Sequence, residues 1–409
     1  MGRNGLTSGS GRLSRPNGVV EGSPAPRSRG ATSRAPAGPD RGVRIGRYRS
    51  APDLREDSSP SPPTGVVRAI VARPCKPDMR NGKDPRSQSL PMSSPPRIPL
   101  GKSGLSVARF ALGGNVFGWT SDEKSSFQVL DAFVDAGFNL IDTADTYSIW
   151  IDGHTGGESE TIIGKWIRAT GRRDDVIIAT KVGMDMGPGG KGLSRDHILR
   201  SADASLKRLQ TDRIDLYQAH ADDPVAPLEE TLRAFSSLID QGKVRAVGAS
   251  NYEAPRLEEA LERSRRSGLH RYESLQPRYN LVDRDAYEGP LEAACRENGL
   301  GVLTYSTLAA GFLTGKYRSK ADIGKSPRGA RAEARLNDRG YRILAALDQV
   351  AERLASSPAA VALAWSMARP SVTAPIASAR SVAQLEQLLT ATSLHLNQDS
   401  MQLLEAASA

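Results

Sequence analysis

Gly137-Phe138-Asn139-Leu140-Ile141-Asp142-Thr143-Ala144-Asp145-Thr146-Tyr147 is the stretch that decides the fold of this 409-residue chain. The glycine ends a helical pattern whose apolar stripe is Phe127, Leu130, Phe133 and Val134, with Thr120 or Ser121 as its start and Asp122 and Glu123 in its first turn. A short apolar run follows, and it reads as a buried strand. An acid closes that strand and a phenol stands five residues further on. Val176–Lys181 closes a second apolar run on an ammonium, and Ile214–His220 closes a third on an imidazole. A parallel sheet gathers such strand-end residues at one edge, although they are far apart in sequence.

Working outward, the same alternation continues in both directions. Strands are predicted at Arg109–Gly114, Phe138–Thr143, Val176–Lys181, Ile214–His220, Val244–Ser250, Ser274–Pro277, Gly301–Tyr305 and Ser371–Ile376. After the first helix, further helices are predicted at Glu158–Ala169, Arg195–Leu209, Leu228–Gln241, Pro255–Arg265, Arg284–Asn298, Tyr341–Ser356 and Val382–Leu389. The strands are apolar almost throughout, as expected when helices cover both faces. Eight strand-then-helix units predict an α/β fold of the (β/α)8 TIM-barrel type. Periodicity alone leaves an open doubly wound sheet as the alternative.

Composition separates a tail from this pattern. Residues 1–97 hold 18 Lys and Arg against 7 Asp and Glu, and 15 of the 26 prolines. The chain's net charge of +9 is therefore +11 in the tail and −2 elsewhere. A Pro-, Ser- and Arg-rich segment without apolar periodicity cannot bury enough surface to offset its ordering entropy. Residues 1–96 are thus expected to be a long disordered basic extension, and residues 97–409 the barrel. The extension lacks the apolar core of a secretory signal and is too proline-rich for an amphipathic transit helix. Met92 stands just before the patterned region, so an upstream-extended start codon is one explanation of the tail. No run approaches the length of a membrane span. No basic face in the patterned region points to nucleic acid. The two cysteines, Cys75 and Cys295, lack metal-ligand spacing and suit a reducing cytoplasm.

Each polar strand end has an ordinary reading of its own. Asp142 alone is a turn former, Lys181 a lysine whose head reaches solvent, and His220 a satisfied core histidine. Together they make chemistry. A free phenol titrates near pH ~10 and is a poor acid at neutrality. A neighbouring ammonium is expected to lower it by about 1–3 pH units. Asp142 is placed to keep Lys181 charged, and His220 to polarise and orient a bound carbonyl.

Asp142-Thr143-Ala144-x-x-Tyr147, Lys181 and His220, in this order, resemble the aldo-keto reductase family from about Ile98 to the C-terminus. The resemblance implies reduction of an aldehyde or ketone with hydride from NADPH, and it makes Tyr147 the proton donor. It makes Ser250, Asn251 and Gln276 the partners of the nicotinamide amide. Thr304–Lys316 is the longest family-like stretch: Tyr305 would stack on the nicotinamide, and Ser306 to Leu308 would hold the pyrophosphate. Asn115, Gly311, Lys316, Ser378, Gln384 and Gln387 complete the expected cofactor set. Arg380, at the entry to the last helix, is expected on the 2′-phosphate, where free N–H groups also favour an anion. This chain has Thr307 where relatives often have Pro, and Leu388 where they often have an amide.

The expected partner is a small carbonyl substrate, with no nucleic acid, membrane or metal. Asn115–Trp119, Ser148–Gly157 and Arg318–Asn337 are the loops expected to choose it, with Trp119 and Trp150 as pocket walls. A non-catalytic NADPH-binding subunit, like the potassium-channel β-subunits of the same family, is the alternative. A barrel lyase with Lys181 as Schiff base is a third, disfavoured by the Tyr and His around it. Gly187-Pro188-Gly189-Gly190-Lys191-Gly192 matches a dinucleotide fingerprint literally, but it does not join a strand tightly to a helix and reads as a flexible loop.

Overall fold

A computed structural model describes residues 94–409. The readings of residues 1–93, including Cys75 and the start at Met92, lie outside the described residues. Strands β1 (Arg97–Pro99) and β2 (Ser106–Ala108) form an antiparallel hairpin that the sequence pattern did not reveal. Its short, half-polar arms carry no periodic signal. Gly101 makes its turn at φ +55°, and a Cβ there would lie 2.3 Å from the Glu273 carbonyl oxygen. The hairpin therefore lies tight against the barrel, and Leu100, Leu105 and Val107 join the barrel's inner apolar cluster.

Eight parallel strands follow. They are β3 (Ala111–Gly113), β4 (Leu140–Asp142), β5 (Ile177–Val182), β6 (Ile214–Ala219), β7 (Val244–Ser250), β8 (Tyr272–Gln276), β9 (Gly301–Thr304) and β10 (Ala374–Ala377). The last strand pairs with β9 through Ala374 and Leu303, and with β3 through Ile376 and Ala111. That double pairing closes the sheet and removes the open-sheet alternative. The chain is an α/β protein built on a (β/α)8 barrel.

Inward-facing Ala111, Leu140, Ala179, Leu216, Ala246, Leu303 and Ala374 fill the barrel floor. Along β4 and β5 the next inward positions are Asp142 and Lys181, because strand side chains alternate with period two. The apolar layer thus ends where the polar one begins.

Helices α1 (Glu123–Asp135), α2 (Glu158–Thr170), α3 (Arg195–Leu209), α4 (Leu228–Asp240), α5 (Ala254–Ser267) and α6 (Pro290–Asn298) cover the outer face, followed by α7 (Asp338–Arg353), α8 (Pro358–Ala368), α9 (Val382–Leu389) and α10 (Gln398–Ser408). Asp122, rather than Thr120 or Ser121, caps α1, because its carboxylate accepts the Ser125 N–H at 2.7 Å. The helix α6 starts at Pro290 instead of Arg284, since Gly289 sits at φ +93° and a proline opens the first turn. Asn337 caps α7 three residues earlier than the apolar stripe suggested. The sequence pattern missed α8 because nearly all of it is buried, from Ala360 to Met367, which leaves no amphipathic stripe to read. It also missed α10. The glycine-rich stretch forms a single 3-10 turn, Gly187–Gly189, and α3 starts only after Ser194. It is therefore no strand-to-helix phosphate loop.

Among the described residues no helix is long and apolar enough to cross a membrane. None of their acidic, histidine and cysteine side chains cluster as metal ligands.

Candidate active site

Strand register brings the distant polar residues together. Asp142 pairs with Ala179 across β4 and β5, which sets the carboxylate one inward step below Lys181. Lys181 is fully buried. Its ammonium donates to Asp142 Oδ2 at 2.9 Å, to the Thr143 carbonyl at 2.8 Å and to Tyr147 Oη at 2.9 Å. Three donors meet three acceptors, so the buried charge is satisfied. The Tyr147 hydroxyl donates in turn to Asp142 Oδ2 at 3.2 Å. The ammonium also lies 4.7 Å from the centre of the Tyr147 ring.

The loop that carries Tyr147 is pinned. The Asp145 N–H donates to the Lys181 carbonyl at 3.2 Å, and Ser148, at φ +74°, donates its hydroxyl to the Phe117 carbonyl at 2.9 Å. His220 follows β6 and donates its own N–H to the Val182 carbonyl at 2.8 Å. Its ring stands edge-on to Tyr147, 6.1 Å between centres. Nδ1 of His220 is buried and has no hydrogen-bond partner among the described residues.

Electrostatics set the resting protonation. Burial, then the Asp142 carboxylate, raise the Tyr147 phenol well above its ordinary value, while Arg328 pulls it down. This corrects the expectation that Lys181 would hold the phenol low at rest. Burial lowers Lys181, and Asp142 opposes that. Burial, with help from Lys181, holds His220 well below the usual imidazole range, so the ring is neutral. The site therefore offers a protonated phenol and an uncharged imidazole.

Behind this group lies a second buried acid pair. Glu160 accepts from Thr180 Oγ1 and from Arg208 Nε, each at 2.6 Å. Burial, then Glu160, push the Asp145 carboxyl up to about 8.

The expected cofactor residues form the rest of the mouth, joined mostly to one another. Tyr305 Oη donates to Asn251 Oδ1 at 2.7 Å, and Asn251 Nδ2 donates to the His220 carbonyl at 2.8 Å. Ser250 Oγ donates to the Gln276 carbonyl at 2.9 Å, and Gln276 Nε2 donates to Asp142 Oδ1 at 2.8 Å. Gln276 thus reaches the acid that pairs with Lys181, a contact its sequence position did not suggest.

Ser306, Ala309, Ala310 and Gly311 all have positive φ, around Leu308. Ala309 and Gly311 donate their N–H groups to the Ser306 and Leu308 carbonyls at 2.7 and 2.8 Å, which closes the turn on itself. A Cβ on Gly311 would lie 3.0 Å from Lys316 Nζ, so the glycine lets that ammonium fold over the loop. Thr307, in place of the frequent proline, donates to the Ile376 carbonyl at 2.7 Å and ties the loop to β10.

Ser378 donates to Asn115 Oδ1 at 2.7 Å. Arg380 is exposed, and its N–H donates to Gln384 Oε1 at 3.0 Å in the capped first turn of α9. Gln387 lies one turn further, also exposed, and makes no side-chain hydrogen bond among the described residues.

Sequence reasoning passed over Arg328. It lies in the long loop between β9 and α7, with its guanidinium 5.1 Å from the Trp119 ring. Its only trace was a position inside a loop expected to choose the substrate.

A (β/α)8 barrel with a Tyr–Lys–Asp centre at its mouth has the architecture of an oxidoreductase. Comparison with known proteins agrees. The model of the Aldo/keto reductase family matches residues 109–409, and the chain belongs to that family. It is 38% identical over 314 residues to the uncharacterized oxidoreductase YrpG of Bacillus subtilis, covering 75% of this chain and 93% of that one. It is 35% identical over 304 residues to the aldo-keto reductase YhdN of Bacillus subtilis, covering 73% and 87%. A probable voltage-gated potassium channel subunit beta of Arabidopsis thaliana is 36% identical over 301 residues, covering 71% and 89%. Family membership supports an oxidoreductase that acts on carbonyl compounds.

Proposed function

We propose that this chain reduces an aldehyde or ketone to an alcohol with NADPH, and that Tyr147 supplies the proton. The carrying observation is the position of Tyr147 Oη, 2.9 Å from Lys181 Nζ and 3.2 Å from Asp142 Oδ2. When bound, NADPH supplies the hydride. Tyr305, Asn251 and Ser250 are arranged to meet its nicotinamide end. The left-handed turn at Ser306–Gly311, with Lys316, suits its pyrophosphate, and Arg380 its 2′-phosphate.

The chain's own groups manage the proton. The carbonyl oxygen becomes an alkoxide as hydride arrives at carbon, and an alkoxide is a far stronger base than a phenolate. A phenol raised by burial still donates to it. The phenolate that remains faces the Lys181 ammonium, which stabilises it at the moment it forms. Neutral His220 donates a hydrogen bond to the carbonyl oxygen from the nitrogen that carries its proton, which orients the carbonyl without adding a competing acid.

The second reading is an NADPH-binding regulatory subunit. The similarity to a protein named as a potassium channel β-subunit favours it. The test is steady-state oxidation of NADPH, and of NADH, by purified protein with a panel of aldehydes and ketones. Turnover with several aldehydes supports the enzyme. Tight NADPH binding without turnover of any of them supports the subunit.

A further inference from the structure

Arg328 is half-buried at the site mouth, on the loop between β9 and α7. Its one side-chain hydrogen bond among the described residues runs from Nη2 to Asn115 Oδ1 at 3.2 Å. No carboxylate lies within ion-pair distance of it among those residues, whereas Arg335 and Arg318, on the same loop, pair with Asp283 and Asp348. Burial, then Arg331 and Arg380, push its guanidinium below the ordinary value, and the Tyr147 and Tyr317 phenols oppose them. A guanidinium that is desolvated and has no carboxylate beside it lacks the partner that would offset its burial.

Its surroundings place it on the substrate side of the mouth. The guanidinium lies over Trp119, Trp119 meets Trp150 edge-on at 5.5 Å, and Trp150 lies 6.3 Å from the Tyr147 ring. Arg328 also reaches the Tyr147 phenol electrostatically. One wall thus runs from the proton donor, across two indoles, to an uncompensated cation. The turn at residues 309–314 and Lys316 precede Arg328 on the same long loop, and the turn packs against the segment Gly329–Arg331.

We propose that Arg328 receives an anionic oxygen group on the substrate, so that the preferred substrates are carbonyl compounds carrying a carboxylate beyond a flat apolar spacer. This rests on the carbonyl-reductase reading above. The indoles cover the spacer, the guanidinium takes both carboxylate oxygens, and the carbonyl end is left at Tyr147 and His220. The same cation also contributes to the phenol's acidity, so substrate choice and proton transfer share one residue.

The test compares 4-carboxybenzaldehyde with its methyl ester, which differ in charge and share the ring and the aldehyde. Wild type is expected to show a KM at least tenfold lower for the acid. Arg328→Met is expected to raise the KM of the acid tenfold or more and bring the acid-to-ester ratio close to one. Arg328→Lys, which keeps the charge and loses the fork, is expected to fall between them. A second arm measures binding of 4-(hydroxymethyl)benzoate and of its methyl ester by calorimetry in the presence of NADP⁺, and needs no turnover. Equal KM for acid and ester in wild type overturns the inference. So does a ratio unchanged in Arg328→Met. A variant in which NADPH binding falls while the acid-to-ester ratio stays also overturns it, and assigns the guanidinium to the cofactor's phosphates. If neither aldehyde is reduced but Arg328 still governs binding of the benzoate, carbonyl reduction fails and the anion site stands.

Discussion

The two halves of the barrel mouth are built on opposite terms. Asp142, Lys181 and Tyr147 all have partners inside the protein: the ammonium has three acceptors, and the carboxylate takes bonds from Lys181, Tyr147 and Gln276. Along the rim, Lys316, Arg328 and Arg380 have no carboxylate partner among the described residues, and four residues from Ser306 to Gly311 sit at positive φ. The first half is finished before any ligand arrives. The second is left open, and on the proposed reading a ligand completes it. Catalytic groups gain from fixed geometry, whereas binding groups gain from unmet charge that an anion then meets.

That contrast can be broken at its centre first. Tyr147→Phe removes a hydroxyl and nothing else of the fold, so turnover should fall about 10²–10⁴-fold, with NADPH affinity near wild type. Single-turnover kinetics with a separate cofactor titration checks it. A variant that keeps wild-type turnover removes Tyr147 as the acid.

Lys181→Met tests whether the centre really is self-satisfied. It leaves the buried Asp142 carboxylate without its cation, and breaking a buried pair in this way costs about 3–5 kcal/mol. Denaturant unfolding measures the loss. The double variant Asp142→Asn, Lys181→Met should lose less than the two single losses together, since it removes both charges. Additive losses would mean that the two groups act independently.

The rim should respond in binding rather than in stability. Arg380→Ala is expected to weaken NADPH about ten- to a hundredfold, equivalent to roughly 1.5–3 kcal/mol for a charge-assisted contact. NADH, which lacks the 2′-phosphate, should bind almost as before. Fluorescence titration of both cofactors decides it. Equal weakening of both would take Arg380 off the 2′-phosphate.

A pH dependence sharpens the boundary of the centre. An unfolded aspartate titrates near pH ~3.9, while the folded Asp145 carboxyl is pushed up to about 8. Between those values the folded chain holds one more proton than the unfolded chain. Asp145 therefore adds stability that is full below the unfolded value and is lost as pH rises through 8. The slope is at most about 1.4 kcal/mol per pH unit. Asp145→Asn should flatten stability between pH 5 and 9, read from unfolding midpoints. An unchanged slope would show that another group titrates there.

Much of this was legible in the chain. Apolar runs ending in Asp142, Lys181 and His220 announced strands with one polar edge, and α3, α9 and β7 lie where the pattern put them. The rest was not. Helix α8 is apolar on every side, so periodicity could not mark it. The hairpin is too short to have a period. Gln276 and Arg328 are ordinary residue types at ordinary positions, and only their neighbours give them meaning.

By itself the sequence determined which residue types stand at the strand ends, because strand periodicity and chain polarity are local properties. The closure of β10 onto β3, the link from Gln276 to Asp142 across 134 residues, and the rise of the Tyr147 phenol were decided by the tertiary structure alone. Each depends on distance and on burial, and neither is a property of any one segment until the barrel closes around it.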